Sequence, residues 1–141
     1  MEKTVDFSVL LGLTLISITT DDAGMSERIV FETTGGRRFE LYHDQDCCEH
    51  VYLESIVGDL NDLLDYPILQ AEEVQNPDDA PDPPPAISEY DSSTWTFYKL
   101  ATFRGYVTIR WLGTSNGYYS ERVSFVEVLN SELKGEIKCL P

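Results

Sequence analysis

The stretch TWTFYKLATFRGYVTIRWL, residues 94–112, decides the fold class of this chain. It is rich in β-branched and aromatic residues, and that composition favours β-strands. Arg104-Gly105 divides it with a turn, so 94–103 and 105–112 are predicted to pair as antiparallel strands. A second turn at 113–117 contains Asn116-Gly117, which tolerates a left-handed backbone. Residues 118–128 follow, and the sequence predicts a three-stranded antiparallel meander.

A predicted hairpin lies nearer the N terminus. Residues 28–34 and 37–43 are strand-like runs joined by Gly35-Gly36, since glycine adopts the positive φ angles of tight hairpin turns. Alternation along the second run puts His43 on the same side as Phe39 and Leu41. We therefore expect His43 at the rim of the core.

The rest of the chain is expected to add short helices and single strands. Residues 8–20 favour a turn or short helix that leads into a strand, 51–65 a short helix, and 68–74 a strand. The predicted fold class is therefore α+β, a mainly antiparallel β-sheet with one or two short helices. Residues 75–93 hold five of the seven prolines and five acids, and they predict an acidic, proline-rich surface loop within a single domain, 1–141.

Charge limits the classes of partner. Ten Lys and Arg residues stand against 25 Asp and Glu, a formal net charge of −15. Polyanions meet a repulsive field, so direct nucleic-acid binding is not expected. The charge is compatible with solubility alone, with a basic protein partner, or with imitation of a phosphate backbone. The apolar run 9–18 is too short to cross a bilayer and no secretory signal precedes it, which predicts a cytoplasmic protein without membrane contact.

The cysteines do not predict a disulfide framework. There are three, Cys47, Cys48 and Cys139, and the first two are adjacent. A bond between neighbouring cysteines needs a strained backbone, so reduced thiols in a reducing compartment are the expected state. A vicinal disulfide stays open as the alternative.

The connection at 43–50 crowds polar and metal-competent side chains together. Zinc sites usually draw ligands from two separate segments, and Cys139 is the only other Cys or His, so no metal and no cofactor are predicted. A thiol nucleophile is a weaker hydrolytic alternative, because catalytic partners normally come from different elements. Glycine-rich phosphate loops and the serine elbow GxSxG are absent. No catalytic residue is predicted, and the ligand-binding candidates here are His43, Asp46, Cys47 and Cys48.

A second candidate region covers residues 106–120. Aromatic rings stack on planar groups, Asn and Ser bond to polar edges, and an arginine neutralises a phosphate or carboxylate. A well-packed hairpin with solvent-facing tyrosines is the plain alternative. The ligand-binding candidates in this region are Arg110, Trp111, Asn116, Tyr118, Tyr119 and Ser120.

Four blocks carry a family resemblance: YHDQDCCE at 42–49, GDL at 58–60, STWTFY at 93–98, and residues 105–120 with SNGYYS. Over about 25–128 the chain resembles a small acidic domain family of unassigned function that is common in tailed-phage and bacterial genomes. The resemblance implies an accessory phage protein that acts in the cytoplasm of the bacterial host. It supplies no catalytic residue.

Two non-catalytic functions compete within that setting. In the leading interpretation the chain counters host defence by sequestering a small, nucleotide-like signal molecule. That function requires the 44–50 loop and the 113–118 turn to lie at the same end of the sheet. It also requires arginines to cluster at the site despite the negative net charge, and the candidates are Arg28, Arg37, Arg38, Arg104 and Arg110. In the alternative it is an acidic decoy that binds a basic host protein, with the acidic loop as its arm. A metal-binding or hydrolytic domain ranks third, and a homo-oligomer is compatible with each function.

Overall fold

The computed structural model describes residues 1–21, 27–81 and 92–129. Within these ranges the chain forms nine strands and two four-residue 3-10 helices, which span Phe7–Leu10 and Leu60–Leu63. The strands are β1 (Glu2–Thr4), β2 (Leu15–Asp21), β3 (Arg28–Thr33), β4 (Arg38–Tyr42), β5 (His50–Val57), β6 (Gln70–Gln75), β7 (Ser92–Thr102), β8 (Gly105–Ser115) and β9 (Ser124–Val128).

The strands form two antiparallel sheets on a shared core. The first sheet has the order β1-β9-β4-β3-β2 and the second the order β5-β8-β7-β6. Phe31 and Phe125 of the first sheet and Tyr98 and Trp111 of the second belong to one buried cluster. The predicted mostly antiparallel β fold is confirmed. The α-helical part of the prediction is wrong for the described ranges, whose only helices are the two 3-10 turns.

Phe7 joins the two sheets from a position between them. Its ring centroid lies 4.7 Å from that of Tyr98 and 4.9 Å from that of Phe125. Asp6 precedes the 3-10 helix that carries Phe7, and its carboxylate accepts hydrogen bonds from the backbone and hydroxyl of Ser8. Each aromatic pair contributes about 0.5–1.5 kcal/mol beyond the apolar area that it buries. The cap and these ring contacts fix the N-terminal segment on the core.

The predicted hairpin at 28–43 is confirmed, with a longer turn. β3 and β4 pair in the register Arg28↔Tyr42 and Phe31↔Phe39. The turn takes residues 34–37 instead of two glycines, because the Thr33 backbone N–H donates to the Arg37 carbonyl and the Thr33 hydroxyl accepts from the Arg37 N–H. Gly36 supplies the positive φ of 84° that closes the turn.

The predicted meander stops after two strands. β7 and β8 pair as predicted, with the turn at 103–104, but β9 joins the other sheet between β1 and β4. The chain turns back over β8 at Gly113, where an added Cβ would lie 2.8 Å from the Cβ of Glu121. Val123 and Phe125 then enter the shared core. The sequence correctly predicts that these segments are strands, but it does not predict that β9 pairs with β1 and β4.

Two further predictions need correction. The first half of the predicted helix at 51–65 is β5, because Val51, Leu53 and Ile56 point into the core from an extended strand that pairs with β8. Only Leu60–Leu63 is helical. The predicted loop at 75–93 falls mainly on 82–91, which lie outside the described residues. No helix in the described part of the chain is long and apolar enough to cross a membrane.

We predict that Gly58→Ala destabilises the fold much more than Gly36→Ala. Both glycines have positive φ, which costs another residue about 1–2 kcal/mol. At Gly58 an added Cβ would also lie 2.5 Å from the carbonyl oxygen of Tyr106, whereas at Gly36 it meets open space. The clash with β8 should add about 1–3 kcal/mol of lost stability. Urea unfolding of both variants measures this, and equal losses would contradict a tight β5–β8 contact.

Candidate functional site

The two predicted blocks meet at one end of the sandwich. His50, at the start of β5, pairs with Thr114 near the end of β8. His43 reaches the segment that precedes β9, where its Nδ1 lies 2.6 Å from the carbonyl oxygen of Arg122. The 44–49 connection and the segment 116–123 therefore lie side by side, which is the arrangement that the ligand hypothesis requires.

A buried contact between His43 and Glu49 anchors the first block. The side chains of His43 and Glu49 are 3% and 0% exposed, and His43 Nε2 lies 2.7 Å from a carboxylate oxygen of Glu49. The other ring nitrogen, Nδ1, faces the Arg122 carbonyl, so both nitrogens are engaged inside the protein. His43 is thus an internal support of the loop and does not line the surface of the molecule.

Glu49 stays ionised because the loop wraps hydrogen-bond donors around it. Its carboxylate accepts the backbone N–H groups of Asp46 at 2.8 Å and Cys47 at 2.9 Å. Those two bonds, with the added bond to His43, lower the pKa of Glu49 from 4.5 to about 2 against the opposing effect of burial. These hydrogen bonds close the loop around the Glu49 carboxylate.

The cysteine pair lies on the outside of this loop. Cys47 and Cys48 are exposed and joined by a disulfide bond, so the expectation of reduced thiols is corrected. The Cys47 N–H bond to Glu49 holds the two adjacent residues in a bend that keeps both sulfur atoms at the surface. Asp46 is also exposed, and Cys139 lies outside the described residues.

Two depressions lie where the blocks meet, and we call them together the two-lobed groove. One lobe has a volume of about 360 Å³ and is lined by Glu73, Gln75, Ser92, Thr94, Ser115, Gly117, Tyr119, Ser120, Glu121 and Arg122. The other has a volume of about 340 Å³ and is lined by Asp44, Gln45, Asp46, Ser120, Arg122 and Ser124. Ser120 and Arg122 belong to both lobes. They mark the centre of the groove.

The first lobe has a rigid, polar wall. The carboxylate of Glu121 accepts the hydroxyl groups of Thr94 at 2.6 Å and Ser115 at 2.5 Å, so its orientation is set. Behind the wall, burial raises the pKa of the Tyr98 phenol and the nearby Glu73 carboxylate raises it further. Tyr98 is therefore a neutral phenol at physiological pH. The lobe presents fixed oxygen acceptors and hydroxyl groups.

Arg122 is the cation of the groove. Its side chain is exposed between the two lobes, and within the described ranges no carboxylate forms an ion pair with it. Its backbone is held from two sides, since its carbonyl accepts from His43 and its N–H donates to the Ser120 hydroxyl. Arg122 is not among the residues predicted from the sequence, although the polar run 120–122 directly after two tyrosines is a usable signal.

The fold places the candidate residues of the second block, 106–120, at different sites. Tyr119 and Ser120 line the groove, and Tyr118 stands at its rim, 81% exposed, with its ring 5.0 Å from that of Tyr119. Asn116 shapes the turn by accepting the N–H of Tyr118. Trp111 is 1% exposed in the shared core and lines neither lobe of the groove.

Arg110, the remaining candidate of the block, lies elsewhere. Alternation along β8 places it on the face of the second sheet that is turned away from the shared core, where its guanidinium lies 5.1 Å from the ring centroid of Phe97. Arg110 is therefore not part of the two-lobed groove.

The arginines that nucleotide binding was expected to use are also dispersed. Arg28 and Arg38 flank the buried carboxylate of Glu40, and Arg37 bonds Glu127 at 2.8 Å. Arg104 and Arg110 lie within 3.9 Å of Asp62 and 3.4 Å of Glu54, respectively. These five arginines pair with carboxylates and do not gather at one site. In the described part of the chain, no group of three or more His, Cys, Asp or Glu side chains is arranged to hold a metal ion.

Fold and groove together define a mostly antiparallel β-sheet protein with a polar groove at one end. Residues 8–125 match the model of a family described as a domain of unknown function (DUF7448), and the chain belongs to that family. The match confirms the part of the resemblance that concerned a family of unassigned function. No curated protein and no solved structure matches the chain.

We predict that Glu49→Gln lowers stability at neutral pH and that this loss shrinks in acid. The folded-state pKa of Glu49 lies below its ordinary value, so its stabilising effect is complete above about pH 4.5 and is lost as the pH falls towards 2. Urea unfolding of wild type and variant between pH 7 and pH 2 should show the two curves converging in that window.

A matched control for this experiment is Glu72→Gln on β6. Glu72 is an exposed carboxylate, and its replacement should leave the free energy of unfolding within about 0.5 kcal/mol of wild type at pH 7. A constant difference between wild type and Glu49→Gln from pH 7 to pH 2 would contradict the lowered pKa of Glu49.

Proposed function

We propose that this chain is a non-catalytic binding protein that sequesters a small, nucleotide-like molecule in the two-lobed groove. One observation carries the proposal, namely that the two polar blocks, far apart in sequence, meet around Ser120 and Arg122. Each lobe has a volume of the size that small-molecule sites usually have, about 300–1,000 Å³.

The groove chemistry suits a ligand with many donors and one anionic group. Asp44, Asp46 and Glu73 offer carboxylate oxygens that accept amino and hydroxyl hydrogens, such as those of a base and a sugar. Arg122 offers a paired contact to one phosphate. Tyr119 offers a ring face for stacking. A polyphosphate is disfavoured, because the acids outnumber the single arginine.

The proposed biological setting comes from the family resemblance. An accessory phage protein in the host cytoplasm would counter defence by lowering the free concentration of a signal, which needs binding and no chemistry. Catalysis finds less support, because both ring nitrogens of His43 are engaged inside the protein and Cys47 is bonded to Cys48. A free thiol nucleophile is thus missing from the cysteine pair of the first block.

A second candidate is the acidic decoy that binds a basic host protein. The observation that favours it is the pairing of Arg28, Arg37, Arg38, Arg104 and Arg110 with carboxylates, which leaves the excess negative charge dominant at the surface. Such a contact would weaken steeply with ionic strength, because it depends on exposed charges.

We predict that Arg122→Gln weakens nucleotide binding at least tenfold. Loss of a charged hydrogen bond to phosphate costs about 1.5–3 kcal/mol, and Arg122 is the cation shared by both lobes. Isothermal titration calorimetry with nucleoside monophosphates and cyclic dinucleotides measures the change. Arg104→Gln removes the same charge from an exposed site beside Asp62 and should bind within twofold of wild type.

Two outcomes would contradict sequestration. One is that wild type binds none of these nucleotides, and the other is that both variants bind equally well. In either case a basic peptide, such as oligolysine, becomes the next probe. Binding of that peptide that disappears at high salt would support the decoy instead.

A further inference from the structure

The outer face of the second sheet carries a separate groove. Tyr98 and Leu100 of β7 point into the shared core, while Trp95 and Phe97 belong to a second, smaller apolar cluster on the opposite face. A cavity of about 370 Å³ lies on this outer face beside Phe97. We call it the outer groove. Thr94, which lines the two-lobed groove, alternates with Trp95, so the two grooves use opposite faces of β7.

Two cations converge on the outer groove. Phe97 pairs with Arg110 and Lys99 with Thr108, so Lys99 and Arg110 are diagonal neighbours, and both line the cavity. Neighbouring like charges repel, and an anion placed between them relieves that repulsion. Within the described ranges Lys99 has no ion pair, whereas Arg110 Nε lies 3.4 Å from a carboxylate oxygen of Glu54.

One hydrogen-bond donor beside this groove is left without an acceptor. Trp95 Nε1 is a buried atom and finds no hydrogen-bond partner among the described residues. The Arg110 guanidinium lies 5.3 Å from the Trp95 ring centroid, and its Nε lies 3.4 Å from a carboxylate oxygen of Glu54. Buried donors are nearly always satisfied in folded proteins, which makes the Trp95 indole N–H a donor available to a ligand.

The groove also offers apolar surface next to the cations. Phe97 forms part of its floor, and two of its lining residues are large and exposed, Tyr106 at 78% and Val57 at 52%. Ligand sites usually combine such apolar area with a few convergent polar groups. Asp79 at the rim disfavours a highly charged polyphosphate.

We propose that the outer groove binds a small organic anion that consists of a planar or apolar body and one compact anionic head. The carboxylate or phosphate head lies between Lys99 and Arg110, where it competes with Glu54 for the Arg110 guanidinium. The body packs on Phe97 and Tyr106. The site is distinct from the two-lobed groove and does not depend on the function proposed for it.

The test is a titration of the ¹⁵N-labelled full chain with phenyl phosphate, observed by NMR. The chain has two tryptophans, and they provide an internal control. Trp95 borders the outer groove, whereas Trp111 is sealed in the shared core. We expect the Trp95 indole and Arg110 Nε–H signals to shift in a saturable manner and the Trp111 indole signal to stay in place. The absence of any Trp95 shift at millimolar phenyl phosphate would overturn the proposal.

Variants separate a specific site from general electrostatics. Lys99→Gln should weaken phenyl phosphate binding at least fivefold, and Arg104→Gln, which removes an equal charge from an exposed site beside Asp62, should change it less than twofold. Lys99→Gln is the main variant because Arg110 also packs on two rings and its loss could disturb the fold. Equal effects of the two variants would overturn the site, as would equally tight binding of inorganic phosphate, since the rings would then contribute nothing.

Discussion

The buried contact between His43 and the Glu49 carboxylate is the interaction on which the arrangement of this molecule depends. His43 follows β4 of the first sheet, Glu49 precedes β5 of the second, and the carbonyl that His43 bonds precedes β9, where the chain returns to the first sheet. The two hydrogen bonds of His43 therefore tie together two places where the chain changes sheets. A buried charge is stable only when it is paired and hydrogen-bonded, so the loop geometry around Glu49 is a condition of the fold.

The same anchoring gives the two-lobed groove its shape. Arg122 follows Glu121, whose carboxylate is held by two hydroxyl groups, and its own carbonyl is held by His43. Rigid backbone on both sides lowers the entropy that a ligand must remove when it binds. The outer groove has a different support, since Arg110 is held by ring contacts on the pleated face of β7 and β8. Arg122 and Arg110 are thus both held at defined positions.

Much of the local structure followed from the sequence. The hairpin at 28–43 and the β7–β8 pair were predicted because strand-forming runs flank turn residues, and alternation placed His43 inside. The predicted helix at 51–65 contains Leu60, Leu63 and Leu64 at helical spacing, yet the residues before Leu60 form β5. The apolar side chains of 51–57 fit the helical period and the strand period equally well over so short a run. Only the pairing with β8 shows that this segment is a strand.

The candidate site, like the fold, was predictable only where it depends on local sequence. The sequence by itself determined which segments are extended, where they turn, and which polar blocks are dense enough to suggest a ligand, because those properties depend on neighbouring residues along the chain. The tertiary structure alone decided that β9 crosses to the other sheet, that Trp111 and His43 are buried, and that Arg122 stands between the lobes. Strand pairing and burial depend on contacts between residues far apart in sequence, and periodicity within one strand carries no information about its partner.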